Sequence, residues 1–172
     1  FSVCYFKETK RSKKQVYSAD QLLSYQMKGG KHFLASEFFR KGIVEDAFAE
    51  VLLKGDLNLY YYNKNKETSF YLQMDDEDLI GLENKRLVIE PESEHGSYYY
   101  NQKYDVNLPI YQDTLFALFS ESKKIQSRAY NLRYTHASLL SYTKSYLKET
   151  CKGEDCIQYE KDLAPFRERF GL

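Results

Sequence analysis

The chain has 172 residues, with 25 basic and 25 acidic side chains that cancel, and its length suits one ordinary domain. Hydrophobic residues make up 42% and charged residues 29%, which supplies a core and excludes intrinsic disorder. No apolar run approaches the ~20 residues of a membrane-crossing helix, and a neutral chain lacks the Lys and Arg excess that nucleic-acid affinity requires.

The chain opens at Phe1 inside a strand-like stretch, Ser2-Val3-Cys4-Tyr5-Phe6, which reads as a processed or truncated chain with no leader in view. A basic turn, Lys7 to Lys14, leads to the strand Gln15-Val16-Tyr17. Its lysines and arginine read as a solvated turn rather than a phosphate or headgroup contact. Ser18-Ala19-Asp20, with Gln21 three residues after Ser18, carries a capping-box pattern that predicts one or two helical turns. Gly29-Gly30 separates Ser24–Lys28 from Lys31–Ser36 and reads as a hairpin turn.

The strongest β signal runs from Ala47 to Met74. Strands over Ala47–Leu53, Leu57–Tyr62 and Ser69–Met74 are joined by the turns Lys54-Gly55-Asp56 and Asn63–Glu67. Leu57, Leu59 and Tyr61 share one face of the middle strand, while Asn58, Tyr60 and Tyr62 share the other. This is an antiparallel meander with one greasier face. Asp75-Asp76-Glu77-Asp78 follows it; without alternating ligands or a mid-loop Gly, the run reads as a cap or solvated turn rather than a calcium loop.

The period then changes. Tyr111, Leu115, Leu118 and Phe119 form the stripe of an amphipathic helix that starts after Pro109. A second helix fits Thr135–Thr150, with Thr135 as N-cap and Leu139, Tyr142 and Tyr146 on one face, and Glu121–Arg133 fits a connecting helix. Strands followed by helices, without regular alternation, predict an α+β fold: the meander 47–74 plus N-terminal hairpins, packed with C-terminal helices. The expected core is Phe48, Val51, Leu57, Leu59, Phe70, Leu72, Leu115, Phe119, Leu140 and Leu147. The domain covers 1–153, and the charged segment 154–172 reads as a short helix or linker.

Cys151 and Cys156 bracket the polar loop Lys152-Gly153-Glu154-Asp155 after the second helix. That spacing can close a disulfide across a turn, which survives only in an oxidising compartment; two free thiols at a helix end are the alternative. Cys4 is left over as a free thiol. Three scattered Cys and three scattered His lack the paired spacing of a zinc site, so neither metal nor cofactor is expected.

The catalytic inventory is thin. No phosphate-cradling loop and no Gly-x-Ser-x-Gly elbow occur. Glu92-Ser93-Glu94-His95 places a base beside carboxylates and is the basis of an alternative reading as a small hydrolase, but a loop His without a nucleophile is a weak catalyst. Two tyrosine clusters remain, Tyr60-Tyr61-Tyr62 and Tyr98-Tyr99-Tyr100 with Tyr104. Alternation forces at least one ring of each triplet to the outer side. Tyr98, Tyr99, Tyr100 and Tyr104 lie in a turn-rich segment and are the expected contact residues for a protein or glycan partner, with sheet packing as the competing explanation.

Several segments together resemble a known group. Val16-Tyr17-Ser18-Ala19-Asp20-Gln21-Leu22, Gly30-Lys31-His32-Phe33-Leu34-Ala35-Ser36, Phe48 through Tyr62 and Phe70-Tyr71-Leu72 follow one another, and later come Tyr111-Gln112-Asp113-Thr114-Leu115 and Tyr146 through Gly153. In this order they resemble an uncharacterised extracytoplasmic domain of Bacteroidota envelope proteins, often found ahead of an outer-membrane β-barrel. The resemblance implies a non-enzymatic module in the periplasm or at the outer membrane, with an envelope protein or β-barrel as partner. It carries over no catalytic residue.

Overall fold

The computed structural model describes residues 2–7, 11–27, 30–40, 42–74, 77–89, 103–151 and 156–161. Strands β1 (Val3–Phe6) and β2 (Gln15–Ser18) pair as an antiparallel hairpin. The main sheet holds β3 (Ser24–Gln26), β4 (His32–Arg40), β5 (Ile43–Gly55), β6 (Leu57–Lys64), β7 (Glu67–Met74) and β8 (Ile80–Leu82), in that spatial order. A separate two-stranded ribbon joins β9 (Lys85–Ile89) to β10 (Tyr104–Leu108). Helices α1 (Ile110–Leu118), α2 (Lys123–Gln126) and α3 (His136–Thr150) follow, and β11 (Ile157–Glu160) returns to pair with β5 as the seventh strand of the main sheet. The architecture is α+β, with the meander where alternation placed it.

Local chemistry explains the joints. The β6–β7 turn is Asn65-Lys66, both at positive φ, a conformation that Asn tolerates and that matches the strand twist. Thr135 caps α3 by accepting from the Ser138 N–H, and Ser122 caps α2 by accepting from the Ile125 N–H. At Ser18 the capping-box bond forms, the Ser18 N–H donating to Gln21 Oε1 at 3.2 Å, yet only a turn over Ala19–Gln21 results. The expected helix is absent because the chain re-enters a strand at Ser24, before a second turn could repay nucleation.

Helices α1 and α3 cover one sheet face and bury Leu53, Leu57, Leu59, Phe70, Leu72 and Leu82 against Tyr111, Leu115, Phe119, Leu139, Tyr142 and Leu147. The sheet is apolar on both faces, however, not on one. Phe38, Ala47, Ala49, Val51, Tyr60, Tyr62 and Tyr71 form a second cluster on the opposite side. There Phe38 stacks on Tyr62 with ring centres 5.5 Å apart, and the Tyr60 hydroxyl donates to Gln73 Oε1 at 2.9 Å. Tyrosine serves on this face because its ring fills the core while its hydroxyl reaches a partner. All ten residues expected in the core are buried.

A register shift between Val51 and Leu53 lets the consecutive residues Leu52 and Leu53 both enter the helix-covered core. Beyond this bulge β11 lies on β5, where residues 157–160 form a strand in place of the helix or linker expected from charge; 162–172 lie outside the described residues. Gly55 permits this pairing. A Cβ there would stand 1.8 Å from the Cys156 carbonyl oxygen.

Candidate functional site

Strand register puts Tyr25, Phe33, Glu50, Tyr61, Phe70 and Leu82 opposite one another across six strands, so they form one row on one face. Five are apolar or aromatic. The sixth, Glu50, is a carboxylate only 3% exposed, and burial of such a charge requires partners.

The partners come from a junction of two strands. Along one edge of β5, β11 pairs with residues 55 to 53 and β4 begins at His32 opposite Val51, so the strands run end to end. Lys161 just follows β11 and its N–H donates to the Leu52 carbonyl, while Lys31 just precedes β4. Lys31 Nζ donates to Glu50 Oε2 at 3.0 Å. Lys161 Nζ lies 2.6 Å from Oε1 as an ion pair without the alignment of a hydrogen bond. Lys161 is 17% exposed and Lys31 52%, so one ammonium lies deep and the other at the rim.

Above this cluster is a cavity of about 230 Å³ lined by Lys31, Phe33, Phe48, Glu50, Tyr61 and Asn63. Tyr25 stacks on Phe33 at 4.8 Å and meets Phe48 edge-on at 5.1 Å, extending the aromatic wall. Burial, then Cys4 and Glu50, push the Tyr25 phenol upward in pKa. At the start of α3, the His136 ring lies 4.0 Å from the Tyr61 ring, with Nε2 buried and without a hydrogen-bond partner among the described residues. Burial and then the Lys161 charge lower its pKa, with Glu50 opposing, which favours the neutral imidazole. The arrangement offers an aromatic cavity with a paired carboxylate at its base and an ammonium at its rim.

Sequence reading pointed elsewhere. Tyr98, Tyr99 and Tyr100, like Glu92, Glu94, His95, Asp75 and Asp76, lie outside the described residues. Tyr104 is on β10, 51% exposed, opposite Ile89. In that register Leu87, Ile89, Tyr104, Val106 and Leu108 share one face of the ribbon with Lys85, while Arg86 pairs with Asp105 on the other, which also carries Asn107 and the exposed Val88. Leu87, Ile89, Tyr104 and Leu108 are 37–51% exposed. The Tyr60 and Tyr62 rings, by contrast, are buried. The Glu50 site escaped the sequence reading, although a lone carboxylate inside Ala47-Phe48-Ala49-Glu50-Val51-Leu52-Leu53 was its signal.

Cys151 and Cys156 lie at disulfide distance, their Cα atoms 6.3 Å apart, and Cys4 is free. Asp56 joins them in a group whose possible ligand atoms lie within 4.8 Å of one another. A disulfide consumes both thiols of that group. Among the described residues no helix is long and apolar enough to cross a membrane. Comparison with known proteins finds no matching family model, curated protein or solved structure.

Proposed function

We propose that this chain is a non-enzymatic extracytoplasmic module of the cell envelope that binds another envelope protein through the apolar face of the β9–β10 ribbon. The observation that carries the reading is the ribbon's unequal faces: Leu87, Ile89, Tyr104, Val106 and Leu108, with Lys85 at the end, on one side, and Arg86, Asp105 and Asn107, with Val88 among them, on the other. A two-stranded hairpin is marginal alone in water, and an exposed apolar face on it is stabilised by a covering surface. Tyr104 and the neighbouring tyrosines suit a protein contact because an aromatic ring loses little conformational entropy on binding. The oxidising compartment is supported by the Cys151–Cys156 pair, and the envelope setting by the resemblance to the Bacteroidota domain.

The test uses a photo-crosslinking amino acid placed at Tyr104, in cells that make the protein, with a matched probe at the exposed Lys124 as control. A single envelope protein should couple to position 104 and not to 124. Changing Leu87 and Ile89 together to Lys should abolish that coupling while leaving the melting temperature of the domain nearly unchanged. Equal coupling from both positions, or none from 104, overturns the assignment. Thiol titration of the denatured, unreduced protein should count one reactive Cys; a count of three removes the compartment argument.

A further inference from the structure

We infer that the cavity over Glu50 is a binding site for a small organic monoanion with a flat apolar body, a single-ring carboxylate, whose charge is received by Lys31. The site stands apart from the ribbon and does not depend on the partner assigned to it.

The charge arithmetic sets the sign of the ligand. Glu50 carries one negative charge and has two ammonium partners, at 2.6 Å from Lys161 and 3.0 Å from Lys31. The deeper ammonium, Lys161, compensates the buried carboxylate. Lys31 is therefore surplus, and it is the half-exposed group at the rim, where one of its three N–H donors is directed to Glu50. A cation entering the cavity would have to displace Lys31 from Glu50; an anion adds a partner to it.

The walls set the shape. Phe33, Phe48 and Tyr61 line the cavity, and aromatic faces and edges favour a ring packed in offset or edge-on contact. Asn63 adds an amide to the lining. A volume of about 230 Å³ lies below the range for drug-sized ligands, so it admits one ring with a short acidic substituent and not a disaccharide or a peptide. Lysine presents a compact charge rather than a planar fork, which suits a single carboxylate at a solvent-facing rim.

The experiment is calorimetric titration of the intact protein with three probes of similar size, benzoate, benzyl alcohol and benzylamine, with amide chemical shifts to locate each. Benzoate should bind and shift the amides of residues 31, 50 and 61, with benzyl alcohol and benzylamine weaker by about tenfold or more. Lys31→Gln, at a half-exposed position and with Lys161 left beside Glu50, should weaken benzoate by about tenfold, and Lys31→Arg should restore most of the loss. Changing Leu87 and Ile89 to Lys should leave benzoate binding untouched, so this site and the ribbon fail or stand separately. Benzylamine binding as well as benzoate would make Glu50 the receptor and overturn the proposal. So would equal binding of benzyl alcohol, an unchanged benzoate affinity in Lys31→Gln, or no heat and no shifts with any probe.

Discussion

Two antiparallel pairs in this molecule each set apolar side chains along one face and meet different fates. In β6–β7, Leu57, Leu59, Phe70 and Leu72 project from one side and are buried under α1 and α3. In β9–β10, Leu87, Ile89, Tyr104 and Leu108 also project from one side, and they remain exposed. Alternation specifies which residues share a face. It does not say whether anything covers that face, because cover comes from elements distant in sequence, here helices more than 35 residues downstream of β7. An apolar face on the first pair is a core, and on the second it is a surface available to a partner.

Truncating one leucine in each pair should separate a covered face from an uncovered one. Leu59→Ala removes a side chain with no exposure from a packed core and should cost about 2–5 kcal/mol of unfolding free energy. Leu87→Ala, from the ribbon, should stay within about 0.5 kcal/mol in the same denaturant series. Similar losses at both positions would mean that the ribbon is already covered within the chain.

Gly55→Ala tests whether β11 belongs to the sheet as firmly as β7 does. Its new Cβ meets the Cys156 carbonyl oxygen, a backbone atom that cannot swing aside, so either β11 lifts or the fold strains by about 1–3 kcal/mol. Hydrogen exchange should show faster exchange at residues 157, 159 and 161, with β6 and β7 protected as before. Unchanged protection in β11 would show that the Cys156 backbone gives way without loss of pairing.

The smallest expected effect is electrostatic. The folded-state pKa of His136 lies below its ordinary value of 6.5, burial being the main cause. The unfolded chain therefore binds the proton first. This contribution is fully present above pH 6.5 and is lost as pH falls from there through the folded-state value. The ring is partly screened by solvent, so the loss should stay below about 1 kcal/mol. His136→Gln should flatten the difference in denaturant midpoint between pH 7.5 and pH 5; because His32 is also lowered, by burial and then Lys54, some slope should remain. An unchanged slope in His136→Gln would place the titration elsewhere.

The strands of the meander, the hairpin of β3 with β4, the stripes of α1 and α3, the Thr135 cap and the closeness of Cys151 to Cys156 were legible in the amino-acid sequence. Each is a local signal: a period of two or 3.6, a turn residue or a short spacing. Packing between distant segments set the rest. It rendered the Ser18 capping box a mere turn, because β3 begins too soon for a helix to propagate. It buried Tyr60 and Tyr62 on a face that polarity had marked as the outer one, because Phe38 and Tyr71 pack against them. Above all, it gathered Lys31, Glu50, His136 and Lys161 into one cluster. Their separations in sequence run from 19 to 130 residues, and no local pattern connects them, since the register of β5 with β4, β6 and β11, with the start of α3 packed on Tyr61, brings their side chains to one place.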